Sequence, residues 1–257
     1  MALHIVLGIG LCIIGEVKFV ILLSPIFLAW VWLSPSYVKD VSKVNLKTLL
    51  VIVAGMLLLI SLSIVILAYY YSTAFGGDPS KSSLSIFIDS LSYIFDPNYI
   101  MSTGELGRFT TFLFWLKNND LWGLSGTLFG YGLNATNSGS TVSPGFLNII
   151  YNLILDSTSL SMLLWEVGAI GTLLFVSLFI YILKVCQPKP LLRLEQLDQQ
   201  DLQLLSFAPA FNAFAISCLI SLPYSQILMI TPMLQFLFYL SLGASLVIRR
   251  TVLRCVG

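Results

Sequence analysis

The sequence predicts an all-α fold, a polytopic transmembrane helix bundle with a large, partly helical extracytoplasmic loop, and three observations carry that prediction. The 257 residues are 57% hydrophobic and 10% charged, against about 25% charged in an ordinary soluble domain, and mean hydropathy is +0.92. Apolar runs of membrane-crossing length recur, with Lys and Arg gathered beside them. Between them, residues 72–158 form one long segment that is apolar in patches yet rich in glycine and acids. A chain so short of charge cannot clothe a water-facing surface, so most of its exterior must face lipid.

A span needs about 20 apolar residues to cross about 30 Å of hydrocarbon. Residues 48–71, 159–185, 203–222 and 227–248 each meet that requirement with few charges. Residues 2–34 are interrupted by Glu16 and Lys18. Each arm falls short of a crossing at about 1.5 Å per residue, so a hairpin or broken helix turning near Glu16 is expected. A cleaved signal peptide fits the first arm less well, because no Lys or Arg opens it.

Orientation follows from the cations beside the spans. Lys39, Lys43 and Lys47 precede the span at 48–71; Lys184, Lys189 and Arg193 follow the one at 159–185; Arg249, Arg250 and Arg254 close the chain. All three groups belong in the cytoplasm, so the C-terminus is cytoplasmic and residues 72–158 lie on the opposite side. The expected domains are therefore a membrane part over 1–71, an extracytoplasmic loop over 72–158, and a second membrane part over 159–257. In the loop Lys81, Arg108 and Lys117 face Asp78, Asp89, Asp96, Glu105, Asp120 and Asp156. The acidic balance suits a translocated face.

Several function classes fall away. Net charge is +1, which leaves no basic stripe to neutralise nucleic-acid phosphates. The cysteines at 12, 186, 218 and 255 form no CxxC pair, and His4 is the sole histidine. Neither a disulfide framework nor a metal site is indicated. Gly130-Tyr131-Gly132 follows no strand, and no GKS or GKT triplet exists, so dinucleotide and P-loop readings fail.

Function is expected in the loop, since long connections without regular structure are uncommon unless functional or disordered. Its apolar stretches at 85–95, 109–116 and 121–133 must pack on something, and the loop is expected to fold back on the membrane surface. The glycines of its middle, at 104, 107, 123, 126, 130 and 132, serve either as ordinary turns or as points of close approach to a ligand. Arg108 is the one arginine of the outer face. Its guanidinium can clamp phosphate oxygens in a bidentate fork, or pair with Glu105 three residues back on a helix. Asp156 stands where a span begins, suited to general-base chemistry at the membrane edge or to N-capping the helix. Glu166 falls inside the run at 159–185. An intramembrane carboxylate there costs about 2.5–3.5 kcal/mol, so it must be paired, protonated or wet, and it serves either function or pairing with a neighbouring helix. Gly168, Ala169 and Gly171 beside it suggest a close helix seam.

These residues, in order, resemble the bacterial O-antigen polymerase and O-antigen ligase family of membrane glycosyltransferases. The resemblance rests on Gly107-Arg108 with an aromatic-rich helix to Trp115, then Leu128-Phe129-Gly130-Tyr131-Gly132, then Leu163-Leu164-Trp165-Glu166-Val167-Gly168-Ala169-Ile170-Gly171. Weaker matches are Gly15-Glu16-Val17-Lys18 and the stretch from Pro232 to Gly243. Members of that family have more spans than this chain, which therefore looks like a C-terminal portion. Ligase-type members carry a His-Asn pair before the Glu-containing span, where this sequence has Asp156-Ser157. A second outer arginine is also missing, with Lys117 or a neighbouring chain left to substitute, so the polymerase-like form is favoured.

The resemblance implies transfer of a saccharide from undecaprenyl diphosphate to a sugar hydroxyl, without metal or cofactor, at the outer face of the bacterial cytoplasmic membrane. It implies catalytic roles for Arg108 and Asp156, and a place for Glu166 in the site or its helix seam. Lys117, Gly130, Tyr131, Gly132, Glu16 and Lys18 are the expected substrate-binding residues. The implied partners are membrane lipid, the lipid-linked oligosaccharide, and an N-terminal half or other polysaccharide-assembly proteins. A transporter or channel subunit and a non-catalytic scaffold are the competing readings. Transport would call for more ionisable residues along the spans than Glu166.

Overall fold

The computed structural model describes residues 92–139, 142–187 and 199–256, with scattered positions between Val31 and Ser85. The Glu16 and Lys18 hairpin, and the expected run at 2–34 apart from Val31, lie outside the described residues. In the run at 48–71 every described position is helical. The elements that follow are α1 (Ser92–Phe95), α2 (Arg108–Asn118), α3 (Leu124–Phe129), α4 (Phe146–Tyr151), α5 (Ser159–Glu166), α6 (Gly168–Val185), α7 (Gln199–Ser206), α8 (Ala208–Ser221), α9 (Ile227–Ile230) and α10 (Pro232–Val256). Among the described residues the regular structure is all-α; extended pairing is confined to two isolated bridges, Ile100 with Leu106 and Glu105 with Ile154.

Three of the expected single spans are interrupted, each at a residue that explains the break. In 159–185 the helix stops after Glu166 and restarts at Gly168, whose φ is +73°, a left-handed conformation that glycine alone adopts without penalty. In 203–222 the break is at Phe207, where Pro209 cannot supply an amide to the carbonyl four residues back. In 227–248 it is at Thr231, extended at φ −95° and ψ 105° because Pro232 follows it; Pro232 then opens α10 at the one helical position where its missing N–H is harmless. Among the described residues two helices are long and apolar enough to cross a membrane, α6 over its whole length and α10 over Pro232–Val252. Only Gly168, Thr172 and Phe179 of α6 are buried, while Leu173, Leu174, Leu178, Ile180 and Tyr181 are exposed.

The chain divides into two compact units, one of Leu91–Gln187 with Phe214–Val247 and the other of Met1–Ser90, Pro188–Ala213 and Ile248–Gly257. The second unit has a small core of Leu205, Ala208 and Ile248. In the first, residues of the expected outer loop share one unit with the helices after it. Its cores are an aromatic one around Trp115, Tyr131 and Trp165, and an apolar one around Phe179, Leu228 and Phe238. Trp165 is fully buried against Phe114, Tyr131 and Tyr151, with ring centroids 5.7–6.3 Å away.

Helix α5 is short, yet none of its terminal polar groups is abandoned. At its start the amides of Ser159 and Leu160 donate to the carbonyls of Ser225 and Leu222, both at 2.9 Å, and Ser161 N donates to Thr158 Oγ1 at 3.0 Å. At its end Leu163 O accepts from Val167 N, Leu164 O from Trp115 Nε1, Trp165 O from Tyr131 N at 2.8 Å and Glu166 O from Gly132 N at 3.0 Å. A helix leaves four such carbonyls without intrahelical partners, and here the turn after α3 supplies two of the amides that close them. The approach is tight. A Cβ on Gly130 would come to 2.5 Å from the Glu166 backbone, and one on Gly168 would strike the backbone of Leu128 and Gly130.

Gly168→Ala should therefore lower the thermal unfolding midpoint in detergent clearly more than Gly132→Ala. Gly132 has φ +95° but open space around an added Cβ, so its substitution carries backbone strain alone, about 1 kcal/mol. Equal losses from the two would contradict the close packing of these turns.

Candidate functional site

Arg108 opens α2, and its position follows from the strand-like segment before it. Glu105 and Leu106 bridge to Ile154 and Ile100, and Gly107 N donates to Tyr99 O at 2.9 Å, which fixes the direction from which α2 departs. The guanidinium, 21% exposed, has Nη1 donating to Ser157 O and standing 3.4 Å from Glu105 Oε1. Its carbon lies 5.8 Å from the ring centroid of Tyr224, within the range of a cation–π contact. The expected pair with Glu105 exists, but Glu105 stands outside the helix, and its contact is long for a hydrogen bond.

Asp156 precedes the residue whose carbonyl takes Arg108. It is not the N-cap of the following helix; Thr158 is, with φ −138°, ψ 151° and its hydroxyl accepting from Ser161 N. Asp156 is instead 97% buried, since 3% of its surface is exposed. Its Oδ2 accepts from Ser138 Oγ at 2.6 Å and Ser138 N at 3.1 Å. Its Oδ1 is buried and has no hydrogen-bond partner, a condition that costs about 1–3 kcal/mol for a buried acceptor. Ser157 next to it is buried and donates to Thr111 Oγ1 at 3.2 Å. Helix α2 and the residues that lead into α5 thus meet at Ser157, through Thr111 and Arg108.

Glu166 is not part of an uninterrupted apolar helix, and among the described residues it has no partner on a neighbouring helix. It ends α5, and its Oε1 accepts from Thr136 Oγ1 at 2.9 Å and Thr136 N at 3.5 Å. Thr136 is fully buried, and its carbonyl accepts from Asn148 Nδ2 at 2.8 Å. Glu166 thereby anchors the same loop that carries Ser138 to Asp156. Residues 135–137 are tied from the other side too, as Leu147 N donates to Ala135 O and Gly145 N to Asn137 O.

The remaining expected residues fall elsewhere. Tyr131 is a core side chain whose hydroxyl donates to Asn119 O at 2.6 Å. Burial raises its pKa and that of Tyr151, so both remain neutral donors. The amides of Tyr131 and Gly132 are engaged with α5, and Gly130 is pressed on Glu166. Lys117 is exposed in the last turn of α2. It lies nine residues from Arg108, or about 14 Å along the axis, and is not brought to the Arg108 end. Ser138, Thr136 and Tyr224 are contributors that the sequence reading missed. They sit in segments of small polar or turn residues, where a serine, threonine or tyrosine has no distinguishing signal. Among the described residues no group of three or more His, Cys, Asp and Glu could hold a metal ion.

No protein-family model, no curated protein and no solved structure matches this chain.

Glu166→Ala should loosen residues 133–139, since it leaves the buried Thr136 donors without an acceptor, a loss of about 1–3 kcal/mol. Glu166→Gln keeps an acceptor oxygen and should be near neutral. Limited proteolysis of the loop together with the unfolding midpoint checks this, and equal sensitivity of the two variants would contradict the anchoring role.

Proposed function

We propose that this chain is a polymerase-like membrane glycosyltransferase of the O-antigen polymerase and ligase type, moving a saccharide from undecaprenyl diphosphate to a sugar hydroxyl. In this reading it is a multi-pass protein of the bacterial cytoplasmic membrane. Its loop is extracytoplasmic and its C-terminus, with Arg249, Arg250 and Arg254, is cytoplasmic. The observation that carries the proposal is that the Arg108 guanidinium docks on the residue next to a buried carboxylate. Asp156 is buried with Oδ1 unpartnered, and the next residue's carbonyl holds Arg108.

The chemistry asks for little more. The acceptor hydroxyl oxygen attacks the anomeric carbon, the bond from that carbon to the diphosphate oxygen breaks, and its electron pair leaves with the diphosphate. Arg108 exchanges the long Glu105 contact for phosphate oxygens and neutralises the charge that develops there. Asp156 Oδ1 takes the hydroxyl proton, while Ser138 holds Oδ2 and so fixes the orientation of the carboxylate. Glu166 has a positioning role through Thr136. Membrane lipid, the lipid-linked oligosaccharide and either an N-terminal half or other polysaccharide-assembly proteins are the partners this reading requires.

The test is extension of a lipid-diphosphate-linked oligosaccharide by the chain in liposomes. Arg108→Ala and Asp156→Asn should each slow extension by about 10²-fold or more, with Ser138→Ala falling less. Extension indifferent to Arg108→Ala would remove that residue from the mechanism. Solute flux without extension would favour a transporter.

A further inference from the structure

The segment 121–133, between the end of α2 and the loop that reaches Asp156, has properties that neither a water-exposed turn nor a sugar site requires. It reads Leu-Trp-Gly-Leu-Ser-Gly-Thr-Leu-Phe-Gly-Tyr-Gly-Leu and contains no charged residue. Its large apolar side chains point outward: Trp122 is 57% exposed, Leu124 72%, Phe129 67% and Leu133 82%. Its hydroxyls are bonded within the protein, that of the exposed Ser125 included. Ser125 Oγ donates to Trp122 O at 2.9 Å, Thr127 Oγ1 to Asn119 Oδ1 at 2.7 Å, and the Tyr131 hydroxyl to Asn119 O.

That arrangement inverts the usual one, in which polar side chains take the water and apolar ones the interior. It matches what lipid demands, since polar groups there must be satisfied within the protein. A saccharide platform would need the opposite, exposed donors and acceptors beside the ring that stacks. The neighbour points the same way. Helix α3 packs against α6, which is long and apolar enough to cross a membrane and exposes Ile170, Leu173, Leu174 and Leu178. The change to polar residues is abrupt at both ends, with Lys117 and Asp120 exposed before the segment and Asn134 after it. Trp122 stands near that boundary and stacks on Phe146 at 5.6 Å and 10°. Indole rings are enriched at the membrane–water interface.

We propose that residues 121–133 are embedded in the outer leaflet of the bilayer that α6 crosses. Helix α3 is then a lipid-facing rim, and Trp122 lies at headgroup depth. The proposal rests on the membrane-spanning reading of α6 and is independent of the saccharide chemistry.

The test uses the full chain in vesicles of phosphatidylethanolamine and phosphatidylglycerol. Single cysteines replace Leu124, Phe129 or Leu133 in a background lacking the native thiols, each carries a nitroxide, and its collisions with oxygen and with a water-soluble nickel chelate are compared. Oxygen should dominate several-fold at these three positions, and the nickel chelate at Lys117→Cys and Asp120→Cys. Dominance of nickel at 124, 129 and 133, or shielding from both reagents, overturns the proposal. Leu173→Cys on α6 separates the two failures: oxygen access there with nickel access on α3 sinks only the embedded rim, whereas nickel access at both sinks the membrane reading. A second measurement avoids removing buried thiols. With Trp30 and Trp32 replaced by phenylalanine, quenching of tryptophan fluorescence by lipids carrying a shallow nitroxide should fall on adding Trp122→Phe, because the remaining Trp115 and Trp165 are buried; unchanged quenching overturns the placement of Trp122.

Discussion

The left-handed backbone at Gly168 is the constraint from which the rest of the first unit follows. An apolar helix that ran unbroken from Ser159 to Val185 would satisfy the carbonyls of Trp165 and Glu166 internally. Breaking it after Glu166 leaves them open, and the amides of Tyr131 and Gly132 close them. A buried carbonyl left unpaired is costly, so the break and the docking of the turn after α3 are one event. Four residues make it feasible at once: glycines at 130 and 168 for the close backbone approach, and Tyr131 and Trp165 for the aromatic packing beside it.

The candidate site is built outward from that junction. Once Gly130-Tyr131-Gly132 is fixed on α5, the chain that follows has little freedom. Thr136 reaches the Glu166 carboxylate and Ser138 reaches Asp156. Asp156 precedes Ser157, whose carbonyl holds Arg108 and whose hydroxyl meets Thr111. The start of α5 is in turn pinned to the turn before α9 through Ser225 and Leu222, and that turn brings Tyr224 towards the guanidinium. Each link is a hydrogen bond or close contact of modest strength. Their arrangement in series is what lets a carboxylate oxygen stay buried without a partner.

The sequence disclosed the material of this site better than its geometry. Composition and apolar runs pointed to helices, and the described regular structure is helical. Arg108, Asp156 and Glu166 were singled out by charge and position in a chain only 10% charged, and all three have buried or partly buried polar contacts. Their partners were not legible. Thr158 and Asp156 are both good capping residues, and only the backbone angles assign the cap to Thr158. The run at 159–185 reads as one helix because a glycine within an apolar run is compatible with an unbroken helix, so the positive φ of Gly168 could not be read from its identity. The two interruptions before prolines were foreseeable in principle, since Pro209 and Pro232 cannot bond to the preceding turn. Tyr131 was expected beside substrate, but an aromatic flanked by two glycines is equally suited to a core whose neighbours must come close. Long-range partners such as Thr136 with Glu166, thirty residues apart, have no local signature at all.

Amide hydrogen exchange at Tyr131 and Gly132 tests the junction most directly. Both residues lie outside any helix or strand, and Gly132 is exposed. If their N–H groups close the end of α5, they exchange as slowly as amides within α6, and Gly168→Ala brings both to the rate of the surrounding loop. Exchange of the native amides at an unprotected loop rate would contradict the account, because the carbonyls of Trp165 and Glu166 would then have no partner there and nothing would hold Ser138 on Asp156.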